Sequence, residues 1–187
     1  TGDGNSTQAV TGVGFQPDWV WIKNRTDGHW NNLNNSIIGA GAGKVLRSNT
    51  DSSEGGTSGH VSSFDSDGFT VAAGTSDAEE VNTSSDNYVA WNWKANGSST
   101  VTNSNGNISA AVSVNDTIGF SVISYTGDGQ NARSIGHSLS AKPKIYLIKA
   151  RSYSSGGGWQ MFVEELGAGG RMQLDTNEAF DTSSTTF

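Results

Sequence analysis

The chain has 187 residues, a formal net charge of −7 and no cysteine. So acidic a chain offers no basic face to phosphate, which excludes nucleic-acid binding; without cysteine there is no disulfide, thiolate metal site or thiol nucleophile; and no apolar run is long enough for membrane insertion as a helix. Hydrophobic residues make up 33% and charged residues only 16%, and because disorder joins low hydrophobicity to high charge, the abundant Gly, Ser, Thr and Asn read as turns and solvent faces of an ordered β protein.

In chain order, Thr1-Gly2-Asp3-Gly4 is a turn. Residues 18–23 alternate, with Trp19 and Trp21 on one strand face and Val20 and Ile22 on the other. Gly39-Ala40-Gly41-Ala42-Gly43-Lys44 is one residue short of a phosphate loop and continues with Val45 where a metal-binding hydroxyl is required; it reads as a hairpin loop. Strands are predicted at 61–64 and 69–72, joined through Asp67-Gly68, and at 88–94, where Trp91 and Trp93 share a face assigned to the core. A Ser/Asn-rich stretch, 98–106, reads as a linker. Further strands follow at 108–114, 118–125, 145–150, 159–163 and 172–174. Asp-Gly and Asn-Gly pairs between them supply the positive φ angles of hairpin turns. No amphipathic helix longer than about two turns is predicted.

The chain repeats itself. Thr126-Gly127-Asp128-Gly129 answers to Thr1-Gly2-Asp3-Gly4 at an offset of about 125, and Pro143 to Arg151 answers to Pro17 to Arg25. Trp159 is matched to Trp30, and 172–176 to 46–50. The expected fold is all-β: antiparallel sandwich or jelly-roll modules in tandem, the first over 1–97, the second over 107–187 and incomplete. The second copy lacks counterparts of 68–71 and 88–93, so the sequence is expected to be a piece of a longer chain or to borrow strands from a neighbour.

Candidate chemistry is sparse. Asp65 and Asp67, two residues apart beside Gly68, are the candidate ligands for a structural Ca²⁺, although the spacing lacks the remaining positions of a calcium loop; otherwise no cofactor is expected. His29, His60 and His137 stand in or near turns with no nucleophile motif beside them, and no pair of carboxylates is placed by sequence for glycoside cleavage. The indoles are the candidate ligand contacts, because an indole presents a large amphipathic face to a sugar ring. Trp30 and Trp159, next to Gly-rich turns, are expected to be partly exposed, with Trp19 as a third candidate.

Thr1 to Gly4, residues 11–25, Ser63 to Phe69, Tyr88 to Lys94, 119–129, Ile135 to Leu139 and Pro143-Lys144 together resemble an uncharacterised repeat family abundant in marine bacteriophages. Members are mostly described as phage structural or tail-fibre proteins. The resemblance implies a non-enzymatic structural or adhesive role in the virion, as a tail fibre or capsid appendage, with copies of itself or other virion proteins as partners and a host-surface glycan as a further one. It carries over no catalytic or ligand residue. Two other readings fit the residues: a carbohydrate-binding module of a secreted bacterial protein, and a subunit of a bacterial surface filament.

Overall fold

The computed structural model describes residues 1–153, 157–167 and 170–181, and it is all-β. Thirteen strands are named: β1 (Thr7–Thr11), β2 (Trp19–Asn24), β3 (Asn32–Asn35), β4 (Leu46–Arg47), β5 (His60–Asp65), β6 (Gly68–Ala72), β7 (Tyr88–Trp93), β8 (Val101–Asn103), β9 (Ala110–Asn115), β10 (Phe120–Tyr125), β11 (Ile145–Ile148), β12 (Gln160–Val163) and β13 (Met172–Gln173). They form four antiparallel sheets with the orders β4-β3-β2-β7, β1-β6-β5, β10-β9-β8 and β11-β12-β13. Among the described residues the helical ones form two single 3₁₀ turns, Ala42–Lys44 and Glu164–Leu166.

The four-stranded sheet is covered on both faces. Alternation along β2 sends Val20 and Ile22 to one side, where they pack with Val61 of β5, Phe69 and Val71 of β6, and Val81. Trp19 and Trp21 go to the other side. There Leu33 of β3 and Leu46 of β4 meet Leu147 of β11, Trp159 and Leu174. The C-terminal sheet therefore closes the second face of the N-terminal one. Phe120 of β10 completes this layer, lying edge-on to Trp19 and stacked on Trp93 at centroid separations of 6.5 and 6.3 Å.

The face of Val20 and Ile22 ends in polar groups, of which Arg47, Asn32 and Glu80 form a paired network. Arg47 donates from Nε and Nη2 to Glu80 Oε1 at 2.8 and 2.7 Å, and Asn32 Nδ2 donates to Glu80 Oε2 at 2.9 Å. Glu80 is almost fully buried, and burial raises its carboxyl above the ordinary value despite the guanidinium beside it. Unpaired, such a charge would cost several kcal/mol, about 3–5; the network is what permits Asn and Arg in a β-sheet interior.

The meander β2-β3-β4 recurs as β11-β12-β13. Trp19 pairs with Asn35 and Ile22 with Asn32; Ile145 pairs with Val163 and Ile148 with Gln160. Asn32 pairs with Arg47 and Leu33 with Leu46; Gln160 pairs with Gln173 and Met161 with Met172. Strands β3, β4, β1 and β8 are additional to the sequence expectation. Strand β8 falls inside 98–106, the stretch read as a linker, and pairs with β9. Of the second copy's expected residues, 154–156, 168–169 and 182–187 lie outside the described ones.

Candidate functional site

Four indoles, those of Trp19, Trp21, Trp91 and Trp93, gather on one sheet face. Strands β2 and β7 run antiparallel with Trp19 opposite Trp93 and Trp21 opposite Trp91. Trp21 and Trp91 meet edge to face at 5.9 Å. Strand β7 lies at the sheet edge, so the cover supplied by the C-terminal sheet gives out there, and Trp91 is 46% exposed. The core assignment for Trp91 is thus corrected: an edge position leaves half its ring in solvent. Among the described residues the buried Trp21 Nε1–H beside it has no acceptor.

Of the three candidate contact residues, Trp30 is exposed, Trp19 belongs to the interior and Trp159 is buried. Trp30 is 51% exposed, and the guanidinium of Arg47 stands over its ring, 4.7 Å from the centroid. Trp159 is only 1% exposed and donates Nε1–H to the backbone oxygen of Arg47 at 2.6 Å. The expectation of exposure for Trp159 fails through register. Strand pairing sets Trp159 in the place of Asn31, one residue beyond Trp30, and a slip of one residue in a strand reverses the face. The backbone agrees: Asn31 N–H donates to Asn49 Oδ1 at 2.9 Å, and Trp159 N–H to Asp175 Oδ1 at 3.0 Å.

Asp65 and Asp67 flank the β5–β6 turn, and protein donors occupy both. Asp65 accepts from Ser63 Oγ at 2.8 Å and Thr70 Oγ1 at 2.7 Å. Asp67 accepts the backbone N–H of Gly12 at 3.1 Å and of Gly14 at 2.6 Å, which ties the chain after β1 to the hairpin. A different trio of donor atoms, from Asp27, His29 and Asp86, lies within 4.8 Å of one another. His29 Nδ1 is 3.1 Å from Glu79 Oε2, and the buried Asp86 accepts from Asn24 Nδ2 at 2.8 Å. Asn24 in turn accepts the N–H groups of Thr26 and Asp27 at 2.8 and 3.0 Å. These bonds hold His29, Asp86 and the backbone of Asp27 around the turn after β2. Of the other histidines, burial lowers the pKa of His60, and His137 Nδ1 accepts the Leu139 N–H at 3.1 Å.

One polar group is more central than any of these, and the sequence reading passed over it. Asp18, directly after Pro17, has no exposed surface. Its oxygens accept backbone N–H bonds from Ala95 at 2.7 Å, Gly97 at 2.9 Å and Ser98 at 2.7 Å, and a hydroxyl bond from Ser36 at 2.5 Å. Burial would raise its pKa, but these donors outweigh burial and hold the carboxyl below the usual value. An acidic residue between a proline and the first residue of an aromatic strand is the signal that could have marked it.

A shallow cleft of about 370 Å³ is lined by Asn49, Thr50, Asp51, Gly158, Gln173, Asp175 and Thr176. Asn49-Thr50 and Asp175-Thr176 are corresponding pairs in the two meanders, so the cleft lies between equivalent turns. Beside it, Lys149 Nζ donates to the backbone oxygens of Asp51 and Gly157 at 2.8 and 2.5 Å.

A domain family of unknown function, DUF7483, matches residues 1–187, the full length of this sequence. The chain belongs to that family. Neither a curated protein nor a solved structure matches this DUF7483 chain.

Proposed function

We propose that this DUF7483 chain is a non-enzymatic structural and adhesive module of a phage virion, built into a tail fibre or capsid appendage. The observation that carries the reading is the closure of one β meander over its counterpart. Leu147, Trp159 and Leu174 fill the face formed by Trp19, Trp21, Leu33 and Leu46, which makes a stiff body of the repeat and turns its loops outward. Tandem copies of such a unit would lengthen a fibre without altering its surface. Resemblance to phage structural proteins supports the virion setting. Contact with a host glycan falls to the turns, to Trp91 and to the face of Trp30 that Arg47 leaves open, since Trp159 is buried. Weak single contacts of this sort become firm through many copies.

Mass spectrometry of purified particles, joined to immunogold labelling, tests the proposal. The expected result is the chain in many copies per particle with label on an external appendage. Recovery only from the soluble fraction of infected cells would overturn it, as would turnover of a host polysaccharide by the purified chain.

A further inference from the structure

We propose that the outer edge of β11 is a docking site for an extended strand of the β7 pattern, taken up in the place β7 holds beside β2. This goes beyond the virion reading and stands whether or not that reading holds.

The two meanders correspond in backbone detail as well as in strand register. Ser36 N–H donates to Asp18 O at 2.9 Å, and Glu164 N–H to Lys144 O at 2.8 Å. Gly55 N–H donates to Val45 O at 2.8 Å, and Asp181 N–H to Arg171 O at 3.0 Å. Strand β11 is thus the equivalent of β2. Strand β2 pairs on both edges, with β3 on one and with the whole of β7 on the other. Among the described residues β11 pairs with β12 alone.

This outer edge, unpaired among the described residues, has the chemistry of an acceptor. Ile145 is 57% and Ile148 37% exposed. Ile145-Tyr146-Leu147-Ile148 carries none of the charges, prolines or bulges that blunt exposed edges. Strand addition to such an edge draws affinity from main-chain hydrogen bonds and specificity from alternate side chains.

The register of the first copy names the occupant. Trp19 faces Trp93, Trp21 faces Trp91 and Ile22 faces Ala90. Transferred to β11, Ile145 takes the residue in the Trp93 position, Leu147 the one in the Trp91 position, and Ile148 a small residue. The occupant is therefore an antiparallel strand with aromatics two residues apart and a small residue before them, as in Tyr88-Val89-Ala90-Trp91-Asn92-Trp93. One element of the first copy is not repeated. Asp18 clasps the chain beyond β7 through three N–H bonds, whereas its counterpart Lys144 is paired with Glu164. The incoming strand is held by its ladder alone, and its binding is reversible.

The test adds a synthetic peptide of residues 86–95 to the isotopically labelled chain and follows amide exchange residue by residue. Exchange at 145–148 is expected to slow about tenfold or more, while a scrambled peptide has no such effect. The double variant Ile145→Lys/Ile148→Lys, whose unchanged protection in β2 and β3 shows that it folds, is expected to lose the response. Failure of the peptide to slow exchange at 145–148 up to its solubility limit would overturn the proposal. So would equal slowing by the scrambled peptide. Slowing that rises with the chain's own concentration and ignores the peptide would assign the edge to a second copy, and would overturn it too.

Discussion

Asp18 has no exposed surface, yet its carboxylate is met by three backbone N–H groups and two hydroxyls. The donors belong to other segments: Ser36 to the end of β3, Ala95, Gly97 and Ser98 to the turn beyond β7, and Ser113 to β9. The charge therefore locks both neighbours of β2 at once. Because its pKa is lowered on folding from 3.8, its stabilising contribution is full above the unfolded value and is lost as pH falls through the folded one. Asp18→Asn keeps the shape but turns an NH₂ toward N–H donors. The variant is expected to lose on the order of 2–4 kcal/mol at neutral pH, and its stability is expected to fall less steeply than the parent's between neutral pH and acid. Urea melts of both proteins across that range would check this. Equal slopes would show that Asp18 is not among the groups setting the acid limit.

At the scale of elements, strands with aromatic or β-branched alternation are legible in the sequence: β2, β5, β6, β7, β9, β10, β11 and β12 all fall within the expected stretches, give or take an end. Strand β3 is not legible. Its Asn-Leu-Asn-Asn run is wholly buried, and what makes burial tolerable is a set of partners elsewhere in the chain, Gly59 O and Glu80 for Asn32. No local pattern encodes that. The β5–β6 turn shows the opposite case, where Asp67-Gly68 announces itself. Gly68 is required there by close approach, since a Cβ on it would lie 2.0 Å from Val10 O on the neighbouring strand β1. Gly68→Ala must push β1 away, at a cost of about 2–4 kcal/mol. Amide exchange in β1 is expected to rise far more than in β2. A uniform rise over the whole chain would mean that β1 is no separable edge.

On the scale of the whole molecule, the duplication is readable from Thr1-Gly2-Asp3-Gly4 and Thr126-Gly127-Asp128-Gly129, which form like turns with Gly4 at φ 72° and Gly129 at φ 73°. How the copies lie against each other is not readable, because it turns on a one-residue slip. With Trp159 matched to Trp30 it would sit at the surface; matched to Asn31 it enters the gap between the sheets and bonds Arg47 O. The shared interior has a thermodynamic consequence. Leu147 from one copy and Leu33 and Leu46 from the other fill the same space, and Arg151 adds bonds to Glu54 across the copies at 2.8–3.1 Å. Removing apolar atoms at that seam should weaken both sides. Leu147→Ala is expected to cost about 2 kcal/mol, at the low end for a leucine because its site is half-buried. Calorimetry should then show a single transition at lower temperature, with protection falling together in β2-β3 and β11-β12. Were the copies independent units in series, the same change would split the melt and spare the N-terminal sheet.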